Sequence, residues 1–367
     1  MASEPERDVS PARINRHTAL PHSIQQAQVV NGMKAFFHPA QEQHHPRTYL
    51  TRGQMREPQE IPERTRRILD GLESAGIPVE EPQDQGMRAI AQVHDLGYLR
   101  FLESAHRRWP ADWGNEVLSN VFVRDRNPLR GILAEAGRYL ADGSCPVGEH
   151  TWNSAYYAAQ TAAAAADELI DGASAAYGLC RPPGHHARYD AAGGFCYLNN
   201  PAIAATVLQR RFPRVAILDP DMHHGQGIQE IFYDRNDVLY VSIHGDPTNF
   251  YPVVSGFEDE RGEGAGEGYN INLPMPHGSP ESAFFERLDE ALTAIRLFSP
   301  DVLIVTLGYD IYCEDPQAKV DVTTEGFHRF GQALHDQPWP ILVLQEGGYH
   351  LDSLAENTRQ FFSGLDR

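Results

Sequence analysis

The segment VAILDPDMHHGQG, residues 215–227, carries the strongest chemical pattern in the sequence. An apolar run ends there in alternating polar residues, and side chains two apart on an extended strand point to the same side. Asp219, Asp221 and His223 should therefore face one way at the end of a strand, and Met222 should face the other way. Two carboxylates this close are costly to bury without a cation, and carboxylates combined with an imidazole suit zinc or a similar divalent metal. The alternative is a solvated turn with incidental acids.

A catalytic zinc ion takes about three protein ligands and leaves one position open for water. Asp310 follows directly after the apolar run VLIVTL and is a candidate for the third ligand. Asp is also a common turn residue at the end of a strand, so its position alone does not decide the matter. The candidate metal ligands are therefore Asp221, His223 and Asp310.

Several other residues could act on a substrate beside such a metal. The adjacent His185 and His186 could serve as base and as electrostatic helper, because histidine exchanges a proton near neutral pH. Hydrogen-bonded structural histidines are the alternative. Gly194 would let the backbone approach a ligand closely, with Phe195 as an apolar wall. Tyr349, beside two glycines, could donate a hydrogen bond to a developing oxyanion, although most tyrosines are packing residues.

These residues follow four short apolar runs, each of which enters a polar turn. The runs are AAYGLC (175–180), VAIL (215–218), VLIVTL (302–307) and ILVLQ (341–345). Between them, residues 280–298 have the spacing of an amphipathic helix, and Asn199 and Pro201 are suited to open another. This alternation predicts one large α/β domain with a mostly parallel central sheet and helices on both faces. In such sheets the ligand binds at the carboxyl ends of the strands.

The sequence divides into an extension and a domain. Residues 1–32 are polar, rich in Gln, Arg and Pro, and lack sustained periodicity, so we expect a flexible N-terminal extension. Residues 33–367 have a globular composition and should form the domain. The strand and helix pattern is interrupted at about 104–150, which is either an excursion over the site or plain surface structure.

Composition narrows the classes of partner and location. The 367 residues include 31 basic and 50 acidic ones, a net charge of −19, so nucleic-acid binding is not expected. Neither of the two lysines, Lys34 and Lys319, lies in a phosphate-binding loop. Four cysteines without paired spacing favour a reducing cytoplasm, and the lack of a long apolar run predicts no membrane association.

Four motifs together resemble the histone deacetylase superfamily of zinc amidohydrolases. They are CRPPGHHA (180–187), DPDMHHGQG (219–227), LGYD (307–310) and EGGY (346–349). Further stretches at 98–109, 231–247 and 268–275 are similar to its acetylpolyamine amidohydrolase branch. The resemblance covers about residues 33–367. It implies the arginase/deacetylase fold, with the active site at the carboxyl ends of the strands.

The resemblance implies metal ions at two kinds of site. The zinc ligands fall on Asp221, His223 and Asp310, the set that the strand pattern favours, although ferrous iron would accept the same ligands. A structural potassium ion is implied near the zinc, with oxygens from Asp219, Asp221, His223, Ser242 and Ile243. A second, outer potassium site is implied at Phe232, Arg235, Val238 and Tyr269, mostly through backbone oxygens.

The resemblance also implies catalytic roles. His185 would assist electrostatically, His186 would act as general base and then general acid, and Tyr349 would polarise the substrate carbonyl. Asp219 and Gln226 would support this site from behind. The family usually has Asp or Asn where Gln226 stands, at the position that hydrogen-bonds the second tandem histidine. A glutamine can still accept that proton through its amide oxygen.

The implied reaction is removal of acetyl groups from acetylated polyamines or similar small cationic amides. Related enzymes often hold the distal ammonium with acids, but here Glu135 and Asp142 are merely nearby and Tyr49 replaces another expected acid. A histone-type deacetylase of protein acetyl-lysine is the alternative, and an inactive acetyl-group binder is a minor one. In the polyamine branch the insertion at 104–150 helps to form a homodimer that narrows the entrance, which favours the first interpretation.

Overall fold

A computed structural model of the chain describes residues 32–124 and 128–366. An eight-stranded sheet lies at its centre, and every neighbouring pair of its strands is parallel. From one edge to the other the strands are β4 (Val79–Glu80), β1 (Lys34–Phe36), β5 (Ala175–Gly178), β12 (Ile341–Gln345), β10 (Val302–Leu307), β6 (Val215–Asp219), β7 (Val238–Gly245) and β8 (Asn270–Met275). The predicted α/β fold with a mostly parallel sheet is confirmed.

The four apolar runs of the sequence become the four central strands. β5, β12, β10 and β6 are buried along their whole lengths, as strands covered on both faces must be. Alternate residues of β10 enter two separate cores: Leu303 and Val305 pack on one side of the sheet, and Val302 and Ile304 on the other. A continuous apolar sequence is therefore typical of a strand whose two faces are both buried.

Helices cover each face of the sheet. One face carries α1 (Glu63–Ser74), α8 (Glu281–Phe298), α9 (Thr324–His335) and α10 (Leu351–Leu365). The other carries α2 (Arg88–Val93), α3 (Leu96–Arg108), α4 (Ile132–Tyr139), α5 (Thr151–Ile170), α6 (Asn200–Leu208) and α7 (Gln226–Phe232). The Asn199 side chain caps α6 as predicted, by accepting a hydrogen bond from Ala202 N, although Pro201 is the second helical residue.

Two short pairs of strands stand apart from the main sheet. β2 (Tyr49–Thr51) and β3 (Gln54–Arg56) form an antiparallel hairpin, and β9 (Ser279–Pro280) pairs in parallel with β11 (Val320–Asp321). The residues of β3 are exposed, and Leu50 of β2 packs on Gly143. The hairpin contributes the wall of a cavity described below.

The sequence predicts two boundaries, at the end of the N-terminal extension and around the interruption at 104–150. The extension at residues 1–32 lies outside the described residues apart from Gly32. The interruption at 104–150 starts inside α3, because this helix continues to Arg108, and it contains α4 and a short 3-10 turn at residues 111–113. None of the helices in the described ranges has the length and hydropathy that crossing a membrane requires. All four cysteines carry free thiols.

Candidate functional site

Three buried side chains meet where β6 and β10 end. One ligand atom each of Asp221, His223 and Asp310 lies within 4.8 Å of the other two. His223 Nδ1 is 3.0 Å from Asp310 Oδ2 and 3.4 Å from Asp221 Oδ1. These separations are close to the roughly 3.3 Å that separates two ligand atoms on a tetrahedral zinc ion. The structure thus gathers the three predicted ligands about a common point.

The surroundings of this cluster suit a cation. A Cβ on Gly308 would lie 2.2 Å from Asp221 Oδ2, and one on Gly347 would lie 2.6 Å from Asp310 Oδ2. Only glycine therefore lets the two turns pass so close to the carboxylates. Burial and the charge of Asp221 raise the pKa of Asp310 to about 7. Such an excess of buried negative charge is stabilised by a divalent ion, and two carboxylates with one imidazole suit zinc or ferrous iron.

The predicted alternation along β6 holds in part. β6 ends at Asp219, so Asp221 and His223 lie in the loop beyond the strand. That loop is fixed by the cluster itself, because Met222 N donates a hydrogen bond to Asp310 Oδ1 over 3.0 Å. The Met222 side chain enters the core, as predicted. Asp219 does not join the cluster through its carboxylate, which instead accepts from the Tyr240 hydroxyl at 2.8 Å.

The tandem histidines lie beside the cluster in different electrostatic surroundings. Their ring centroids are 3.9 Å apart. His185 Nδ1 is 3.2 Å from Asp219 Oδ2, and His186 Nδ1 is 2.6 Å from Gln226 Oε1. Burial lowers the pKa of His185, but the charges of Asp221 and Asp219 outweigh it and raise this pKa to about 10. Burial and the neighbouring His185 hold the pKa of His186 well below its ordinary value, so His186 is neutral at neutral pH.

A cavity of about 1050 Å³ opens from the cluster and brings the other predicted residues together. Its walls include His186, Gly194, Phe195 and Tyr349. Gly194 has a φ of +55°, and a Cβ there would lie 2.3 Å from His186 Cδ2. The sequence predicts that the backbone at Gly194 approaches a ligand closely. In the structure it approaches the ring of His186 instead.

Tyr349 is held by the turn that follows β12. Its backbone N–H donates to Asp315 Oδ2 over 2.5 Å, and His350 N donates to the same oxygen over 2.9 Å. Its ring lies 6.1 Å from that of Phe195. Burial raises the pKa of Tyr349 well above its ordinary value, although the nearby Arg64 lowers it. The phenol therefore keeps its proton and can donate a hydrogen bond into the cavity.

Comparisons with known proteins agree with this arrangement. The family model described as "Histone deacetylase domain" matches residues 58–365. The chain belongs to the histone deacetylase family. It is 64% identical over 336 residues to an acetylpolyamine amidohydrolase of Burkholderia pseudomallei, a match that covers 91% of this chain and 98% of that protein. An acetylpolyamine amidohydrolase of Mycoplana ramosa is 37% identical over 87% of this chain and 95% of its own length.

Two solved structures share the fold of this chain. The crystal structure of an acetylpolyamine aminohydrolase from Burkholderia pseudomallei, from an iodide soak, superimposes with a TM-score of 0.89. It is 64% identical and covers 90% of this chain and 98% of its own. The HDA15 HD domain superimposes with a TM-score of 0.74 at 28% identity, over 90% of this chain and 88% of that one.

The residues of the two predicted potassium sites lie on neighbouring elements. In the first set Ser242 is paired with Asp219 across β7 and β6, and Ile243 follows it. In the second set Phe232 ends α7, Val238 begins β7, and Tyr269 precedes β8. Arg235 lies between them, and its guanidinium is paired with Asp237, which leaves its backbone carbonyl as the candidate ligand. Both potassium ions stay predictions.

Sequence reasoning missed a buried ionic cluster behind Tyr349. Glu60 Oε1 lies 2.8 Å from Arg64 and 2.8 Å from Arg181, and all three side chains are at most 2% exposed. Arg64 also donates to the backbone carbonyls of Gly348 and Glu346, at 2.5 and 2.6 Å. The cluster therefore fixes the EGGY turn that carries Tyr349. No motif in the sequence marks Glu60 or Arg64, since isolated charges are usually on the surface.

The candidate acids for a distal ammonium have other tasks. Glu135 forms a bidentate pair with Arg108 at 2.5 and 2.6 Å, and Asp142 accepts hydrogen bonds from three neighbours. In the described residues, the carboxylates that line the cavity are Asp221 at its base and Glu57 at its mouth. Tyr49 also lines the mouth and packs edge-on against Phe195, at 5.3 Å between ring centroids.

The buried ionic cluster predicts a large loss of stability for Glu60→Gln. Burial raises the pKa of Glu60, but Arg181 and Arg64 lower it more, so the folded pKa is below its ordinary value. Removing this charge leaves two buried guanidinium groups unpaired, and the free energy of unfolding should fall by about 3–5 kcal/mol. Urea unfolding at neutral pH measures the change.

Glu63→Gln is the matched control, because Glu63 lies in the same region and pairs with exposed arginines. It should change the free energy of unfolding by less than about 1 kcal/mol. The stabilisation by Glu60 is present above the ordinary carboxyl pKa and is lost as the pH falls through the lower folded pKa. The difference between wild type and Glu60→Gln should therefore shrink below about pH 4.3. Equal effects of the two substitutions would contradict the role of the cluster.

Proposed function

We propose that this protein is a metal-dependent amidohydrolase that removes acetyl groups from acetylated polyamines or similar small cationic amides. The observation that carries this function is the convergence of Asp221, His223 and Asp310 with His186 and Tyr349 at one cavity. The 64% identity to a protein named acetylpolyamine amidohydrolase supports the substrate class. Hydrolysis adds water across the amide C–N bond and yields acetate and a free amine.

The three clustered side chains would hold the divalent ion. Zinc suits two carboxylates and one imidazole, and ferrous iron is also acceptable to these ligands. When bound, such an ion supplies Lewis acidity toward a substrate carbonyl and toward water. We assign the potassium ions to the two sets of oxygens described above, where they would stabilise the ends of β6, β7 and β8.

The side chains of the cavity would move the protons of the reaction. Because His186 donates from Nδ1 to Gln226, its Nε2 lone pair is free to take a proton from the attacking water. The same nitrogen then returns the proton to the leaving amine. Tyr349 donates a hydrogen bond to the oxyanion of the tetrahedral intermediate. His185, beside Asp219, assists electrostatically.

Tyr349→Phe tests the oxyanion donor. Loss of one such donor costs about 100- to 1,000-fold in kcat, so we expect a loss of that order with acetylputrescine as substrate. Release of acetate gives the rate. Tyr189→Phe removes the hydroxyl of a tyrosine that is 50% exposed, and it should leave kcat unchanged. A Tyr349→Phe enzyme with near-normal kcat would remove this residue from the mechanism.

The mouth of the cavity bears on the substrate. It is lined by the β2–β3 hairpin with Arg52, Arg56 and Glu57, so one carboxylate is available there for a distal ammonium group. A folded protein surface would have to pass the same hairpin. Histone-type deacetylation of protein acetyl-lysine is the second candidate function, and the match of residues 58–365 to the family model described as "Histone deacetylase domain" favours it.

A substrate panel decides between these two functions. We expect the kcat/KM of acetylputrescine and acetylspermidine to exceed that of an acetyl-lysine peptide by at least about tenfold, a difference of about 1.4 kcal/mol in activation free energy. Glu57→Gln should reduce the kcat/KM of the acetylated polyamines more than that of the peptide. Faster turnover of the peptide would overturn the proposed substrate class.

We also propose a homodimer and a cytoplasmic location. The stretch at 104–150 exposes Trp113, Val121 and Phe122, which are 45–50% exposed and would be covered by a second copy. We propose that such a contact narrows the mouth of the cavity. Buried free thiols at Cys145, Cys180 and Cys196 suit a reducing compartment.

A further inference from the structure

Two more side chains continue the hydrogen-bond chain that starts at His186. Gln226 Oε1 lies 2.6 Å from His186 Nδ1, and Gln226 Nε2 donates to the Tyr251 hydroxyl over 3.1 Å. This hydroxyl in turn donates to Asp142 Oδ2 over 2.7 Å. The four side chains form one continuous series, which we call the glutamine relay.

Every hydrogen bond of the glutamine relay has a fixed direction. A carboxylate only accepts, so Asp142 requires the Tyr251 hydroxyl to donate to it. The Tyr251 oxygen then accepts and must face the amino group of Gln226. The amide oxygen of Gln226 is thereby turned toward His186, where it accepts from Nδ1–H. In a neutral imidazole the other nitrogen, Nε2, is then the proton acceptor.

A glutamine without further partners would not fix this outcome. Its amide can present either the oxygen or the amino group in nearly the same space, and the two orientations select opposite tautomers of the facing histidine. A carboxylate would present an oxygen in either orientation and would need no third residue. Gln226 therefore depends on the hydroxyl of Tyr251 in a way that an acid at this position would not.

We propose that Asp142 and Tyr251 are positioning residues that select the tautomer of His186 through Gln226. The proposal deepens the proposed function and rests on it in one respect, namely that Nε2 of His186 is the proton acceptor of hydrolysis. The proposal also means that the stretch at 104–150 contributes to the active site, because Asp142 belongs to that stretch.

The surroundings hold both positioning residues in place. Asp142 Oδ1 accepts from Ser144 N over 2.8 Å, and its Oδ2 accepts from Gly194 N over 3.2 Å. The Tyr251 ring stands edge-on to His186, with 4.8 Å between ring centroids. A Cβ on Gly193 would lie 3.0 Å from the Tyr251 hydroxyl, so the backbone closes over the hydrogen bond to Asp142. The carboxylate is thus committed to the relay and does not face the cavity mouth.

Nitrogen-15 NMR of the zinc-loaded protein at pH 8 reads the tautomer directly. His186→Gln assigns the His186 resonances by their loss. We expect Nδ1 of His186 to carry the proton in the unmodified protein and both nitrogens to share it in Tyr251→Phe, which keeps the ring and removes the hydroxyl. Unchanged shifts in Tyr251→Phe would overturn the proposal. Because this readout needs no turnover, its failure is distinct from a failure of the proposed function.

Kinetics of acetylputrescine hydrolysis provide the second readout. Loss of such a supporting partner typically costs about 10- to 100-fold, so Tyr251→Phe should lower kcat by this factor with little change in KM. In a Gln226→Glu background the same substitution should cost less than about threefold, because either carboxylate oxygen accepts from Nδ1–H. Equal losses in the two backgrounds would show that Tyr251 acts only as a wall of the cavity and would overturn the proposal.

Asp142→Asn covers the case in which Tyr251→Phe does not fold. This variant keeps the size of the side chain but lets an amino group face the hydroxyl, so the direction of the relay is no longer fixed. It should give the same mixture of His186 tautomers and a similar loss in kcat. Combined with Tyr251→Phe it should add no further loss, since both act on one hydrogen-bond chain. An unmixed tautomer or additive losses would contradict the relay.

Discussion

Two carboxylates and an imidazole are buried together at the carboxyl edge of the sheet, and the rest of the site depends on how this charge is balanced. Asp221 and Asp310 are at most 1% exposed, so solvent contributes little to balancing their charge. A divalent cation is the partner that this donor set fits. The constraint explains Gly308 and Gly347, since a Cβ at either position would collide with a carboxylate oxygen.

A second group of buried charges, centred on Glu60, supports the active-site cavity. Glu60 binds two arginines, and one of them, Arg64, donates to the carbonyl oxygens of the turn that carries Tyr349. Asp315 holds the same turn from the other side through the backbone N–H of Tyr349. The position of the phenol is therefore set by ionic groups that do not themselves line the cavity. The glutamine relay holds His186 through a chain of hydrogen bonds that ends at Asp142.

The sequence predicts much of the sheet because each strand is a local pattern. A strand with two dry faces needs an unbroken apolar run, so 302–307 and 341–345 are predicted to the residue. The candidate ligands follow from the same logic, because polar residues that end neighbouring parallel strands must meet at one edge. The predicted alternation of side chains does not continue to His223, because β6 ends at Asp219. Asp221 and His223 reach the cluster through a loop that is held by a hydrogen bond to Asp310.

Residues that act across long sequence separations could not be found in this way. Glu60 and Arg64 meet Arg181, which lies 121 residues after Glu60, and an isolated charge carries no local sign of burial. Tyr251 and Asp142 are 109 residues apart and approach only through the loops around Gly194. Gln226 did carry a signal, because a side-chain amide, unlike a carboxylate, requires a partner to orient it.

The metal site can be located by anomalous diffraction above the zinc edge, on crystals of the protein reconstituted with one equivalent of zinc. We expect one strong peak equidistant, within a few tenths of an ångström, from the ligand atoms of Asp221, His223 and Asp310. A peak at another group of side chains, or no peak at this cluster in fully loaded crystals, would contradict this metal site.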